Sequence, residues 1–575
     1  MVQPQSLTPD RAIPYHGAVA VISENIALSP HYYRDNFLRL CDTVESQYMD
    51  LLVASELDFL RVYRDLSFNA QCLYVRLVSR VGPWFRAGRL DYPELGDCGP
   101  LLEELEKSGL LQSASTLCVD ELGALYTRDE LVRALGDHVD TAGLRDKASL
   151  LAAIVDSALD DCSAMHLLTG LDEGNPVVAP LGCEAVETLQ LLFFGNRRQS
   201  LTEFVLSDLG VTRYFPYSLD RGHRQFENRE ALEEYLACAA LRDRWYELLE
   251  NPDPSALVDL AGDMLLMEIQ YDSSRDRWYR VCNGVARDLE RLGQAGSALA
   301  LYAASSRHPA RERRARILEG MGELAMARDL CEAIVNKPWC EDERDAALRI
   351  LSRLRRAIEN KPQSRKRDDF SELRLELPRG DTGVELSAAA ALASDWESVD
   401  YVENRLMNTL FGLAFWEQIF APVPGAFCNP FQSVPGDMYV PGFRQRRHHL
   451  LASRMDELAA TDLRQELSAA YRLYHGYQCR WVDWRYLDAE FVDRALGILP
   501  PAHLLAIWDR MLFDPGENRR GFPDLIALGS NPGNYCLIEV KGPGDTLHHG
   551  QKRWLRFFSE QAIPACVARV EWLHD

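Results

Sequence analysis

Asp524, Glu539 and Lys541 are the residues whose types and spacing could do chemistry. They lie in two short apolar runs, Phe522–Leu528 and Tyr535–Lys541, separated by Ser530-Asn531-Pro532-Gly533-Asn534. A Pro/Gly/Asn cluster between β-rich runs predicts a turn joining two strands. Side chains alternate faces along a strand, so Leu537, Glu539 and Lys541 share one face. Cys536, Ile538 and Val540 point the other way, towards an apolar layer. Glu539 and Lys541 then stand about 7 Å apart along the strand, and Asp524 comes alongside them if the two strands pair. Hard oxygen ligands of this kind suit Mg2+ or Mn2+, which neutralise phosphate charge and lower the pKa of bound water. A neighbouring lysine can position that water or steady the developing charge. Glu-Val-Lys alone is common and more often describes a salt-bridged surface strand. Pro523-Asp524, fifteen positions before Glu539, and the Gly542-Pro543-Gly544-Asp545 exit shift the balance towards metal-dependent phosphodiester hydrolysis.

Several elements must position this set. A helix over roughly Thr546–Glu560 should turn Trp554, Leu555 and Phe558 to the sheet and leave His548 and His549 exposed in its first turn. Phe370–Leu377 alternates apolar and polar residues and predicts a strand leading into the same domain. Trp396–Phe420 has a long helical pattern with Leu406, Leu410, Leu413 and Trp416 buried. It places Glu403 one turn before Leu406, where an isolated Glu is ordinarily solvated.

The chain has 575 residues, 47% hydrophobic and 26% charged, which implies several soluble globular domains. No apolar run is long enough for a bilayer and the N-terminus carries no secretion signal, so a bacterial cytoplasmic, nucleoid-associated protein is expected, with a nuclear one as the alternative. Fourteen scattered cysteines without Cys-x-x-Cys spacing read as reduced thiols, with neither zinc nor a disulfide framework. A formal charge of -23 excludes indiscriminate binding to nucleic acid, so positive charge must be concentrated locally.

Such places can be sought along the chain. Residues 1–30 are polar and proline-punctuated, and should be poorly ordered. Residues 1–115 form a helical, winged-helix-like DNA-binding region in which Arg61–Arg89 holds six arginines against one acid. Arg76 and Arg80 are candidate phosphate contacts there, although the same pattern fits arginine-decorated helices packing on their own acids. Residues 116–229 hold two short helices, from Thr127 and over Lys147–Leu159, that resemble a SAP-like module with Lys147 as a candidate contact. Their continuation, Leu191–Tyr217, interleaves aromatics with Arg197 and Arg198, and Arg221, Arg224 and Arg229 could form a pocket for a terminal phosphate. In 230–360, Gly293–Leu301 and Gly322–Leu330 echo each other, as degenerate TPR-like helices that could also bind repair proteins. A charged linker over 361–381 precedes a nuclease domain from 382 to 575.

Pro523-Asp524 followed by Glu539-Val540-Lys541 resembles the PD-(D/E)xK nuclease signature. The wider frame Arg520-Gly521-Phe522-Pro523-Asp524-Leu525, with Gly542-Pro543-Gly544-Asp545, Gln551 and Trp554, is similar to its VRR-type branch. LFFGNRRQSLTEFVLSDLG, then TLFGLAFWEQIFAPVPGAF, then this frame occur in the order of the Fanconi-associated nucleases, and the chain resembles a bacterial member. The resemblance implies a mostly helical N-terminal half and a C-terminal α/β nuclease domain with a small mixed sheet. It implies a structure-specific DNA nuclease that cuts 5′ flaps and degrades 5′ to 3′ in interstrand crosslink repair. Asp524, Glu539, the Val540 carbonyl and Glu403 would hold one or two Mg2+ or Mn2+ ions. Lys541 would orient water, and Asp545 and Gln551 would support the site. Glu417 rivals Glu403 for the remaining acid. A Holliday-junction resolvase and an inert TPR-type scaffold are the alternatives.

Overall fold

The computed structural model describes residues 30–80, 82–139, 144–157, 159–199, 213–250, 253–359 and 368–573. The expectations for residues 1–29, for the start of the linker at 361–367 and for the middle of Leu191–Tyr217 lie outside these.

Helices Tyr32–Tyr48, Ala54–Asp65 and Phe68–Val78 open the chain. Phe37, Tyr63, Leu73 and Tyr74 meet in their shared core, which reaches on to Leu189 and Phe193. Ser67 caps the third helix by accepting from Ala70 N. Strands β1 (Phe85–Arg86) and β2 (Leu111–Ser113) flank β3 (Val177–Pro180) in an antiparallel sheet. The central strand therefore arrives only after the short helices Arg128–Leu135 and Lys147–Val155. The first of these starts at a capping box between Thr127 and Glu130.

The helical repeats follow. Gly293 and Gly322, at φ +78° and +84°, end their respective helices in the left-handed region. Each is followed by a helix, Ala295–Ala304 and Leu324–Asn336, whose matched Ala298 and Ala327 are fully buried. The echo read from the sequence is thus one supersecondary unit used twice.

The remaining strands are β4 (Arg213–Tyr214), β5 (Glu372–Leu377), β6 (Ser398–Tyr401), β7 (Tyr477–Gln478), β8 (Leu525–Leu528), β9 (Tyr535–Lys541) and β10 (Ala565–Trp572). Five of them form one mixed sheet in the order β5-β10-β9-β8-β6. β10 runs parallel to β5 and β9, whereas β8 is antiparallel to β9 and β6. Helix Val384–Leu392 covers one face, burying Ala388 and Leu392 with Leu525, Ile538, Val540 and Ala568. Ile526, Leu528 and Leu537 line the other, against Leu410, Trp508, Trp554 and Phe558. Both faces are apolar, so Leu537 enters a core as surely as Ile538 does. Helices Leu463–Tyr474, Ala489–Ile498 and Pro501–Phe513, between β6 and β8, complete that second layer.

Trp396–Phe420 departs from the single long helix its apolar spacing predicts. Ser398–Tyr401 is β6, and helices begin only at Leu406 and again at Trp416. Val399 and Tyr401 fit a pleated edge, and pairing Tyr401 with Leu525 outweighs helical periodicity there. Asn404 then takes φ +51°, a left-handed turn that Asn tolerates and a continuous helix forbids. Glu403 consequently stands in a strand-to-helix turn. All fourteen cysteines are free thiols. No helix of the described residues is long and apolar enough to cross a membrane.

Candidate active site

Strand register assembles the site. Leu525 faces Ile538 across β8 and β9, so Asp524 and Glu539 are the next pair outward, with Cβ atoms about 5 Å apart. Tyr401 faces Leu525 on the other side, and Val402 N donates to the Asp524 carbonyl at 2.8 Å. Glu403 therefore follows β6 at the sheet end where Asp524 immediately precedes β8 and Lys541 ends β9. Glu539 is 1% exposed, and Asp524 and Lys541 are each 8% exposed.

Each carboxylate is turned onto donors of its own chain. Asp524 Oδ2 accepts from Val540 N at 2.8 Å. Glu539 Oε1 accepts from Lys541 Nζ at 2.9 Å and from Gln551 Nε2. Glu403 accepts from Tyr401 Oη and from Asn404 Nδ2, the latter at 3.2 Å. As they stand, the described residues gather no three His, Cys, Asp or Glu side chains around one point.

The electrostatics of the site call for a cation. Burial pushes the Glu539 carboxyl up to about 8, with Asp524 and Glu403 adding repulsion that Lys541 only partly offsets. Burial likewise pushes Asp524 up to about 6, against the hydrogen bond from Val540 N. The hydroxyl of Tyr401 is raised by burial and by its bond to Glu403. Glu539 Oε2 is buried and has no hydrogen-bond partner. An orphaned carboxylate oxygen among like charges is costly in a protein interior. Hard oxygen donors around it match a divalent ion such as Mg2+ or Mn2+.

The supporting residues are set by the same elements. Gln551 lies in the first turn of helix His549–Glu560, where its Oε1 also accepts from His548 N at 2.9 Å. Asp545 Oδ2 accepts from Gly542 N at 3.2 Å and is exposed. His548 and His549 are exposed, while Trp554 and Phe558 are buried. Trp554 stacks on Phe522 at 4.1 Å and donates to the Arg520 carbonyl, tying the helix to the segment that delivers Asp524. Tyr401 and Asn404, which hold Glu403, went unnoticed in the sequence. The Asn404 side chain also accepts from Phe522 N at 3.2 Å. Glu417 is exposed in helix Trp416–Ile419, where it accepts from Tyr474 Oη.

The basic candidates divide sharply. Arg76 bonds Glu94 at 2.6 Å and lies over the Tyr33 ring. Arg224 is bidentate to Asp50, and Arg229 bonds Glu56 at 2.9 Å. Arg197 bonds Asp243. Across Arg61–Arg89, Arg61, Arg64, Arg76, Arg86 and Arg89 all pair with carboxylates, the bland alternative for that stretch. Arg80 meets Tyr92 Oη and Arg221 the Ser46 carbonyl. Arg80 and Arg198 are exposed, and Lys147 is half-buried. Among the described residues, none of Arg80, Lys147, Arg198 and Arg221 has a carboxylate within ion-pair distance.

Comparison with known proteins fits this geometry. A VRR-NUC domain family model matches residues 459–572, and a FAN1 HTH domain model matches residues 31–112. The first match contains Asp524, Glu539 and Lys541, and begins after Glu403. The chain is 35% identical to a Fanconi-associated nuclease 1 homolog of Pseudomonas aeruginosa, over 95% of this chain and 97% of that one. It is 25% identical to the Arabidopsis thaliana homolog, over 94% and 67%, and 23% identical to the human Fanconi-associated nuclease 1, over 91% and 61%. A solved structure described as paFAN1 bound to DNA with a 2-nucleotide 5′ flap and a gap matches with TM-score 0.79 at 33% identity, covering 96% of this chain and all of that one. A second, with a 1-nucleotide flap, matches with TM-score 0.78. The chain thus belongs to the Fanconi-associated nuclease family, with a helical N-terminal half and a C-terminal VRR-NUC nuclease domain.

Proposed function

We propose that this chain is a divalent-metal-dependent DNA nuclease that cuts 5′ flaps near the junction, degrades 5′ to 3′, and serves interstrand crosslink repair. The observation that carries the reading is Glu539 Oε2, buried without a partner beside Asp524 and Lys541. The relatives are named as Fanconi-associated nucleases, and the solved neighbours hold 5′-flap DNA, which supports the substrate class. Asp524, Glu539, the Val540 carbonyl and Glu403 would hold Mg2+ or Mn2+, as one ion or two. When bound, the metal supplies charge neutralisation at the scissile phosphate and a lowered pKa for water.

The chain's own groups do the rest. Lys541 Nζ, anchored on Glu539 Oε1, donates to the attacking water and holds its oxygen in line with phosphorus. Direct water attack inverts configuration at phosphorus, and no covalent enzyme intermediate forms. Gln551 fixes the Glu539 carboxylate, while Tyr401 and Asn404 fix that of Glu403. The DNA is gripped by Arg80, Lys147, Arg198 and Arg221, the candidate cations no carboxylate neutralises. Arg76, Arg197 and Arg224 act by holding the surrounding fold.

The test compares cleavage of a 5′ flap, a 3′ flap and a four-way junction, each labelled at either end, with Mg2+ present. Cuts near the junction of the 5′ flap, and shortening from the 5′ end, are expected. Paired symmetric nicks in the four-way junction with an intact 5′ flap would replace this reading with that of a junction resolvase.

A further inference from the structure

Beside Glu403 the surface carries an aromatic-guanidinium platform that the hydrolytic site does not use. Tyr486 is a large apolar ring held 60% exposed. The Arg405 guanidinium lies 4.0 Å from the centre of that ring and 5.5 Å from the centre of the Tyr401 ring. Tyr401 in turn donates to Glu403. Arg405 is half-buried, and among the described residues it has no carboxylate within ion-pair distance. In a chain of net charge -23, a guanidinium left without a carboxylate beside an exposed ring is available to a phosphate. Arg485 adds a second guanidinium, its side chain 85% exposed, 5.8 Å from the Tyr486 ring and in a long 3.8 Å ion pair with Asp483.

The backbone holds Tyr486 in place. Asp483 N donates to Thr409 Oγ1 at 3.3 Å, and Trp484 Nε1 donates to the Tyr477 carbonyl at 2.7 Å. The first bond ties the loop to helix Leu406–Ala414, the helix that follows Glu403 in the chain, and the second ties it to β7. An exposed ring with a fixed base and a flanking guanidinium matches one ligand class well. A nucleobase has an aromatic face whatever its identity, and its phosphate seeks guanidinium.

We propose that Tyr486, with Arg405 and Arg485, is a stacking subsite for an unpaired nucleotide next to the scissile phosphate. It holds the base by its face and its backbone by charge, so it selects for a frayed or single-stranded residue without reading sequence. The inference rests on the nuclease reading above and adds a specificity-determining residue to it.

The experiment uses the full chain and a 5′-flap duplex carrying 2-aminopurine at the first unpaired position. Single-turnover cleavage is measured in parallel on the same flap with an abasic residue there. Stacking should quench the 2-aminopurine on binding, and Tyr486→Ala should abolish the quench while Tyr486→Phe restores it. Tyr486→Ala should lower kcat/KM about tenfold on the base-containing flap, from the loss of one stacking contact, and change the abasic flap little. Equal loss on both flaps, or quenching indifferent to Tyr486→Ala, would overturn the subsite. Failure of the wild type to cut the flap at all would instead overturn the nuclease reading.

Discussion

Glu539 concentrates the physics of the site in one side chain. Its carboxyl, pushed up to about 8 by burial and then by Asp524, keeps a proton in the folded chain that the unfolded chain releases. A carboxyl whose folded pKa lies above its unfolded value favours the folded state less as pH rises between the two, here from about 4 to about 8. In chelator, Glu539→Gln should therefore melt above the wild type by about 2–4 °C near pH 8 and converge with it near pH 4. A divalent cation should raise the wild type at pH 8 and leave the Gln variant unmoved. Differential scanning calorimetry across pH checks both statements, and a pH-independent difference would contradict them. The triad of Asp524, Glu539 and Lys541 was legible because a turn signal and side-chain alternation suffice to bring it together. Tyr401 and Asn404 were not, since their roles arise only once β6 is known to end at Tyr401.

At the scale of elements, the site depends on how the segment before β8 passes helix His549–Glu560. Gly521 sits at φ +78°, and a Cβ there would stand 2.9 Å from the Gly550 carbonyl carbon and 3.0 Å from Gln551 N. Only glycine meets both demands. Gly521→Ala should lose about 1–3 kcal/mol of stability and separate Asp524 from the helix that carries Gln551. The expected result is a lower urea midpoint with flap cleavage reduced more than flap binding, and unchanged midpoint and rate would refute the close approach. β8, β9 and the following helix were readable from local pattern. β6 was not, because its apolar residues fit a helix as well and only the edge of β8 decides between them. β10 and the layer between β6 and β8 depend on non-local pairing and packing that short windows do not show.

At the scale of the whole molecule, charge explains how an acidic chain can be organised around DNA without being swamped by repulsion. Its arginines are largely spent inside the protein. Where helix Glu341–Glu359 meets the nuclease domain, Glu341, 1% exposed, bonds Arg510 at 2.9 Å and Asp342 bonds Arg553 at 2.8 Å. The Asp514 carboxylate accepts from Glu341 N, and burial raises its pKa. Arg553 lies in the helix that presents Gln551 to Glu539, and Arg510 packs over its Trp554 and Phe557 rings, so the helical half and the nuclease domain are joined through one buried and one half-exposed ion pair. An arginine count along the sequence registers local positive charge but not the carboxylates that fold against it. Five of the six arginines across Arg61–Arg89 pair with carboxylates, and Arg80 alone among them has none within ion-pair distance among the described residues. The most direct measurement is release of a labelled 5′ flap by the full-length wild type and by Glu539→Gln, in chelator and after Mg2+ or Mn2+ is restored. The account predicts no cleavage in chelator, recovery of the wild type with metal, and at least about a hundredfold lower rate for Glu539→Gln with flap binding retained. Cleavage indifferent to chelation, or wild-type rates from Glu539→Gln, would contradict it.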